Sequence, residues 1–180
     1  TLVSATKHWM KQGDTPLARQ LLALVKGVRR TAIPCLPAIH GPLYTLHVGI
    51  RNLTASMVRI FWTTPLFKSQ VKGSAKGLYL YSGLPLLLGP LEIELGENIR
   101  LSGITTLSGR VSAKQTPLLK IGNGSGIGWQ TTIAVGTKVI IGNHVHIAGK
   151  CFLAGYPGHP LDPAARALGL PDTDDQCGDI

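Results

Sequence analysis

The stretch "LAGYPGHPLDPAARALGLPDTDD", residues 153–175, carries one histidine, His159, set between glycine and proline. Imidazole titrates near neutrality, so a histidine can take a proton from an attacking hydroxyl and pass it to a leaving group. The surrounding Gly and Pro put it on a turn rather than inside a regular element. Asp162 suits an N-cap, Pro163 the first helical position and Gly169 the stop, so "DPAARALG" is predicted to form a short helix that braces the loop. A lone histidine in such a loop is ordinarily just solvent-exposed, and the elements that would hold His159 decide between the two readings.

Those elements are legible as a repeat. From Leu95 the chain divides into sixes: "LGENIR", "LSGITT", "LSGRVS", then, after an insertion, "IGNGSG", "IGWQTT", "IAVGTK", and after two further residues "IGNHVH", "IAGKCF". Each begins with Leu or Ile, and the second residue is Gly, Ser or Ala. The fifth is Ile99, Thr105, Val111, Ser125, Thr131, Thr137, Val145 or Cys151, mostly small or β-branched. A period of six fits neither an amphipathic helix nor an alternating strand. It predicts a mainly β solenoid, three short strands to a coil of ~18 residues, with the leading aliphatics stacked inside and the fifth residues at the interior of each turn. Cys151 is then a packing residue. His144 and His146 fall near a turn, where polar residues are tolerated.

The segment "VIIGNHVHIAGKCFLAGYPGHPLDPAARALGLPDTDDQCGDI" resembles the active-site region of the hexapeptide-repeat acyltransferases, closest to the maltose and galactoside O-acetyltransferase branch. The resemblance covers roughly residues 80–180 and implies a left-handed parallel β-helix, a homotrimer with clefts between subunits, and acetyl-CoA or another acyl-CoA as co-substrate. His159 takes the place of the general base. Arg166, seven residues beyond it, matches the arginine of the family's "GHP" loop. The family's acceptor-binding Asn corresponds to about Gly128, so Trp129 and Gln130 beside it are the candidate acceptor contacts, with an apolar face and an amide to offer. Equally, Gln130 is an outward-facing polar residue with no role. The resemblance also implies further coils after Ile180 that cradle CoA, so the CoA-binding residues are not assigned and the chain ending at Ile180 is expected to be inactive. One branch of β-helix proteins hydrates carbon dioxide on a His-bound zinc; His144, His146 and His159 lack its spacing, and no metal is expected.

Charge separates the chain into two parts. Residues 1–80 hold eleven of the 18 Lys and Arg and a single acid, Asp14, within a total of +9. In "TPLARQLLALVKGVRR" the apolar Leu17, Leu21, Leu24, Val25 and Val28 recur at helical spacing, and Leu43, Leu46, Ile50, Leu53, Met57 and Ile60 do so again. Two basic amphipathic helices are predicted within an N-terminal segment, residues 1–79, ahead of a β-helix domain, residues 80–180, with its loop at 154–178. Their apolar faces either pack against the rest of the protein or lie on an anionic membrane surface, residues 1–62 supplying the contact; nucleic acid is the least favoured partner. No apolar run reaches the ~18 residues of a spanning helix. Three cysteines without a CxxC spacing argue against a disulfide scaffold and for a reducing compartment.

These readings converge on a cytoplasmic O-acyltransferase, peripheral on the inner face of the membrane. It would move an acyl group from a thioester to a sugar of a surface polysaccharide or lipid-linked glycan. The alternatives are a non-catalytic trimeric scaffold at the membrane and a metal-dependent hydratase.

Overall fold

The computed structural model describes residues 2–180. Three helices come first: α1 (Leu2–Gln12), α2 (Pro16–Arg30) and α3 (Pro37–Val58). A π-helical turn, Arg59–Thr63, joins α3 to α4 (Thr64–Lys68). The chain divides into two compact units, residues 1–48 and 49–180. In the first, α2 starts as expected, with the Thr15 hydroxyl accepting the Ala18 N–H at 3.2 Å and Pro16 following. α1 was not foreseen in the sequence. Ala18 is the buried residue of α2, whereas Leu17, Leu24 and Val28 of the expected stripe are more than half exposed.

The strands follow in coils. The first contains β1 (Lys72–Gly73), β2 (Tyr79–Tyr81) and β3 (Leu86–Leu88); the second β4 (Glu92–Leu95), β5 (Arg100–Ser102) and β6 (Thr106–Gly109). The third contains β7 (Leu118–Ile121), β8 (Gly126–Ile127) and β9 (Thr132–Val135), and the fourth β10 (Lys138–Ile141), β11 (His146–Ile147) and β12 (Phe152–Ala154). They pair in parallel as three four-stranded sheets, β1-β4-β7-β10, β2-β5-β8-β11 and β3-β6-β9-β12. Successive strands thus enter the three sheets in rotation.

Register explains the period of six. Leu95 lies beside Ile121 and that beside Ile141; Leu101, Ile127 and Ile147 form a second row; Leu107, Ile133 and Leu153 a third. These are the leading residues of the hexads, and Leu101, Leu107 and Ile133 have no exposed surface. The fifth residues Ile99, Thr105, Ser125 and Thr131 are buried as expected. In the last coil Val145 is 38% exposed and Cys151 half-buried; Val111 is instead 80% exposed and Thr137 lies at the surface. Both follow the third strand of a coil, where extra residues carry the chain outward; Val139 returns it to the core.

One expectation needs correction. Strand accounts for only 21% of the chain and helix for 37%, so the chain is not mainly β. Hexad strands are two to four residues long with corners between them, whereas α3 alone has 22 residues. The first paired strand, β1, begins at Lys72, within the segment read as basic and mostly helical, residues 1–79.

Candidate functional site: the His159 loop and its anchor

The loop leaves the coils after β12 and returns at Gly178, whose N–H donates to the Gly155 carbonyl at 2.8 Å. Ile180 then pairs with the edge of β10, donating to Lys138 O at 3.0 Å and accepting from Ile140 N–H at 2.7 Å. Between these points α5 (Pro163–Ala167) forms as predicted. Asp162 caps it, its carboxylate accepting the Ala165 N–H at 2.7 Å, and Gly169 ends it with φ +67°.

What holds the loop is a buried arginine that sequence reasoning did not single out. Arg110, in the insertion after β6, is 3% exposed, and all three of its nitrogen positions donate to the loop. Nε meets Asp172 Oδ1 at 2.7 Å, Nη2 the Asp172 carbonyl at 2.7 Å and Nη1 Asp174 Oδ1 at 2.6 Å. Ser112 Oγ donates to the same Asp172 oxygen at 2.7 Å, and Lys114 pairs with Asp174 at 2.8 Å. The Gly158 backbone lies near the Asp172 carboxylate and helps hold its pKa down. The far arm of the loop is thus tied to the segment after β6 through Asp172 and Asp174, while Gly158, before His159, takes a turn with φ +75° that suits glycine.

The electrostatics follow from these contacts. Burial raises the pKa of Asp172, but hydrogen bonds from Arg110 and Ser112 and the charge of Arg110 outweigh it, so the carboxyl titrates below its ordinary range. Asp174 is lowered as well, by its hydrogen bonds with Lys114 and Arg110. Arg110 is held above its already high value by its bonds to Asp174 and Asp172. "PDTDD" reads in sequence as a polar, mobile tail to the loop; Asp172 is in fact 6% exposed and serves as the loop's tether.

His159 itself is exposed, and its ring has no hydrogen-bond partner among the described residues. Pro160 beside it is buried. A cleft of about 370 Å³ opens along the base of the loop, lined by Tyr156, Leu161, Gln176 and Ile180, and the buried Gln176 Oε1 there has no partner. Arg166 is exposed on α5 and joins no ion pair.

Trp129 and Gln130 are elsewhere. They turn the corner between the second and third sheets, whereas the His159 loop leaves the corner between the third and first. The strand β9, about 13 Å long at ~3.3 Å per residue, separates the two corners within one chain. Gln130 has φ +56°, as does Lys150 with +64° one coil on, and each carries the left-handed residue of that corner. Trp129 is 48% exposed, with Lys150 Nζ 5.1 Å from its ring centre. His144, at φ +57°, continues a row with Gly77, Asn98 and Gly124 at the first corner, a conformation in which Asn and His are enriched. Among the described residues no group of three His, Cys, Asp or Glu could hold a metal, and no helix is long and apolar enough to cross a membrane. No protein-family model, curated protein or solved structure matches this chain.

Proposed function

We propose that the protein is a CoA-dependent O-acyltransferase, most simply an O-acetyltransferase, of the left-handed β-helix class. The observation that carries this reading is the tethered loop. His159 is projected from an otherwise regular stack of coils, on a loop whose far arm Arg110 holds through Asp172 and Asp174. A side chain on a flat face of a coil cannot reach into a neighbouring cleft, whereas a projecting loop can.

In the reaction the acceptor hydroxyl oxygen attacks the thioester carbonyl carbon while His159 takes the hydroxyl proton. The tetrahedral centre then collapses, the C–S bond breaks, and the proton passes to the departing thiolate, leaving an O-acyl ester and free CoA. Proximity of the two substrates supplies much of the rate. Trp129, Gln130 and Arg166 are the acceptor contacts in this proposal. Since Trp129 and Gln130 sit on a different corner from His159, joining them in one site calls for a second copy of the chain, which favours a homotrimer with clefts between subunits. The acceptor is a sugar of a surface or lipid-linked glycan. The basic helices α1 to α3 hold the enzyme on the anionic inner face of the membrane, their exposed Leu24, Leu43 and Leu46 entering the interface.

The test is transfer from radiolabelled acetyl-CoA to a panel of hexosides and lipid-linked glycans by the intact enzyme, compared with His159→Ala. Loss of transfer by at least ~10²-fold with an unchanged circular dichroism spectrum supports the base. Near-normal turnover in the variant removes His159 from the mechanism. Trimerisation and lipid binding without any transfer point to a membrane scaffold instead.

A further inference from the structure

Outside the His159 loop, a cavity of about 590 Å³ in the second unit is lined by Arg51, Arg59, Ser56, Thr63, Tyr79 and Tyr81, among others. No acid contributes to it, and the sequence contains none between Asp14 and Glu92. Tyr79 and Tyr81 stack with ring centres 6.0 Å apart. Arg59 lies over the Tyr79 ring at 4.9 Å, and Arg100 approaches Tyr79 at 5.9 Å and Tyr81 at 5.1 Å. Two guanidinium groups therefore share one aromatic ring. None of the six ion pairs among the described residues involves Arg51, Arg59 or Arg100.

Like charges gathered without a counter-ion repel, and here nothing in the chain relieves them. A guanidinium laid over an aromatic face keeps its N–H edges free, and those edges match the paired oxygens of a phosphate. The backbone is shaped for the purpose. Arg59 and Thr63 open and close the π-helical turn, a rare insertion that is frequent at functional sites. Across that turn Ile60 stays 49% exposed while Phe67, which would lie on the same face of an unbroken helix, is 1% exposed in the core. The extra residue lets the following turn bury Phe67 and leaves Arg59 at the cavity.

We infer that this cavity binds a phosphorylated sugar. Arg51 and Arg59, which line the cavity, take the phosphoryl oxygens; Arg100, outside the lining but over the same Tyr79 and Tyr81 rings, reaches in to join them, and the lining Asn52, Ser56, Thr63 and Ser82 meet hydroxyl groups. The volume exceeds what a lone phosphate fills and suits a hexose phosphate. This inference does not depend on acyl transfer at His159.

Glucose 1-phosphate is titrated into the full chain by calorimetry, with glucose as the control. The expected result is saturable binding of the phosphate ester alone. Arg59→Ala and Arg100→Ala should each weaken it by about tenfold or more, as the loss of a charged hydrogen bond does, while His159→Ala leaves it unchanged. Arg59→Lys, which retains the charge, should bind between wild type and Arg59→Ala. In a second arm the same sugar phosphate is presented on vesicles as a lipid diester. Tighter binding there assigns the site to a lipid-borne ligand, and equal or weaker binding to a soluble one. The inference is overturned if glucose binds as well as its phosphate, or if correctly folded Arg59→Ala and Arg100→Ala bind like wild type.

Discussion

Replacing Arg110 by Met should undock the loop and leave the coils intact. Met keeps most of the aliphatic volume and removes the three donor positions that hold Asp172 and Asp174. A carboxylate left buried beside an absent partner costs about 3–5 kcal/mol. Asp172 need not bear all of that, because the loop can swing into water and rehydrate it, so the lower end applies. About 3 kcal/mol shifts the docked-to-open ratio by roughly two orders of magnitude. Hydrogen exchange read by mass spectrometry should show peptides from residues 155–178 losing protection by that factor, while peptides from β4 to β9 exchange as in wild type. Arg110→Lys should fall between, since one ammonium cannot reproduce the three-way fork. Uniform loss of protection across the coils, or a loop as protected as wild type, would refute the tether.

The same contacts set a pH dependence. Asp172 has a folded-state pKa below its unfolded value, so its contribution is present above the ordinary carboxylate pKa of about 4 and is lost as pH falls through the lower, folded value. Loop protection should therefore hold from neutrality down to about pH 4 and collapse only in stronger acid. Asp172→Asn should remove that acid limb. Opening of the loop in wild type between pH 5 and 7 would contradict the sign of the shift.

Other outcomes test other links. Ile127→Ala, at a buried position between Leu101 and Ile147, should cost about 2–5 kcal/mol in chemical denaturation, whereas the same change at the exposed Ile140 should cost little. Ser125 donates to the Gly142 carbonyl at 2.7 Å and accepts the Val145 N–H at 3.1 Å, both part-buried, so Ser125→Ala should cost about 0.5–1.5 kcal/mol. The protein should sediment with anionic vesicles and be released as salt rises, because headgroup attraction is screened within ~10 Å; removing residues 1–62 should abolish this. Binding to neutral vesicles that salt does not weaken would replace charge with apolar insertion as the cause.

Periodicity made the coils legible because each leading aliphatic has one place to go. Leu101 and Ile127 are neighbours in space because each begins a hexad, and no other fact is required. The short helix after Asp162 was equally local, resting on a cap, a proline and a glycine. Arg110 was hidden for the opposite reason. Its partners lie 62 and 64 residues away, in a segment whose composition reads as solvated loop. A signal did exist: an arginine placed where the repeat breaks, in a half of the chain poor in bases, faces an acidic stretch that would otherwise be unpaired. The π turn was invisible, since Leu43 to Ile60 continue to Phe67 at regular helical spacing and only packing of Phe67 into the core reveals the extra residue. Trp129 and Gln130 were found by counting hexads, yet counting could not say that they turn a different corner from His159.

From β4 onward the irregularities of the repeat share one location. The insertion at 110–117, the two extra residues before Val139 and the loop at 155–177 all fall between a strand of the third sheet and the next strand of the first. At that corner the chain is free to lengthen without disturbing the stacked rows, because Leu107, Ile133 and Leu153 have already closed the third side. At the other two corners the rows stand six residues apart from Leu95 onward and seven apart in the first coil, with left-handed residues at Gly77, Asn98, Gly124 and His144 on one and at Gly83, Gln130 and Lys150 on the other. Two excursions from one corner, two coils apart, can reach each other only by running along the outside of the stack. Arg110 meets Asp172 in that way, so a loop able to project a histidine implies a second departure from the repeat to hold it.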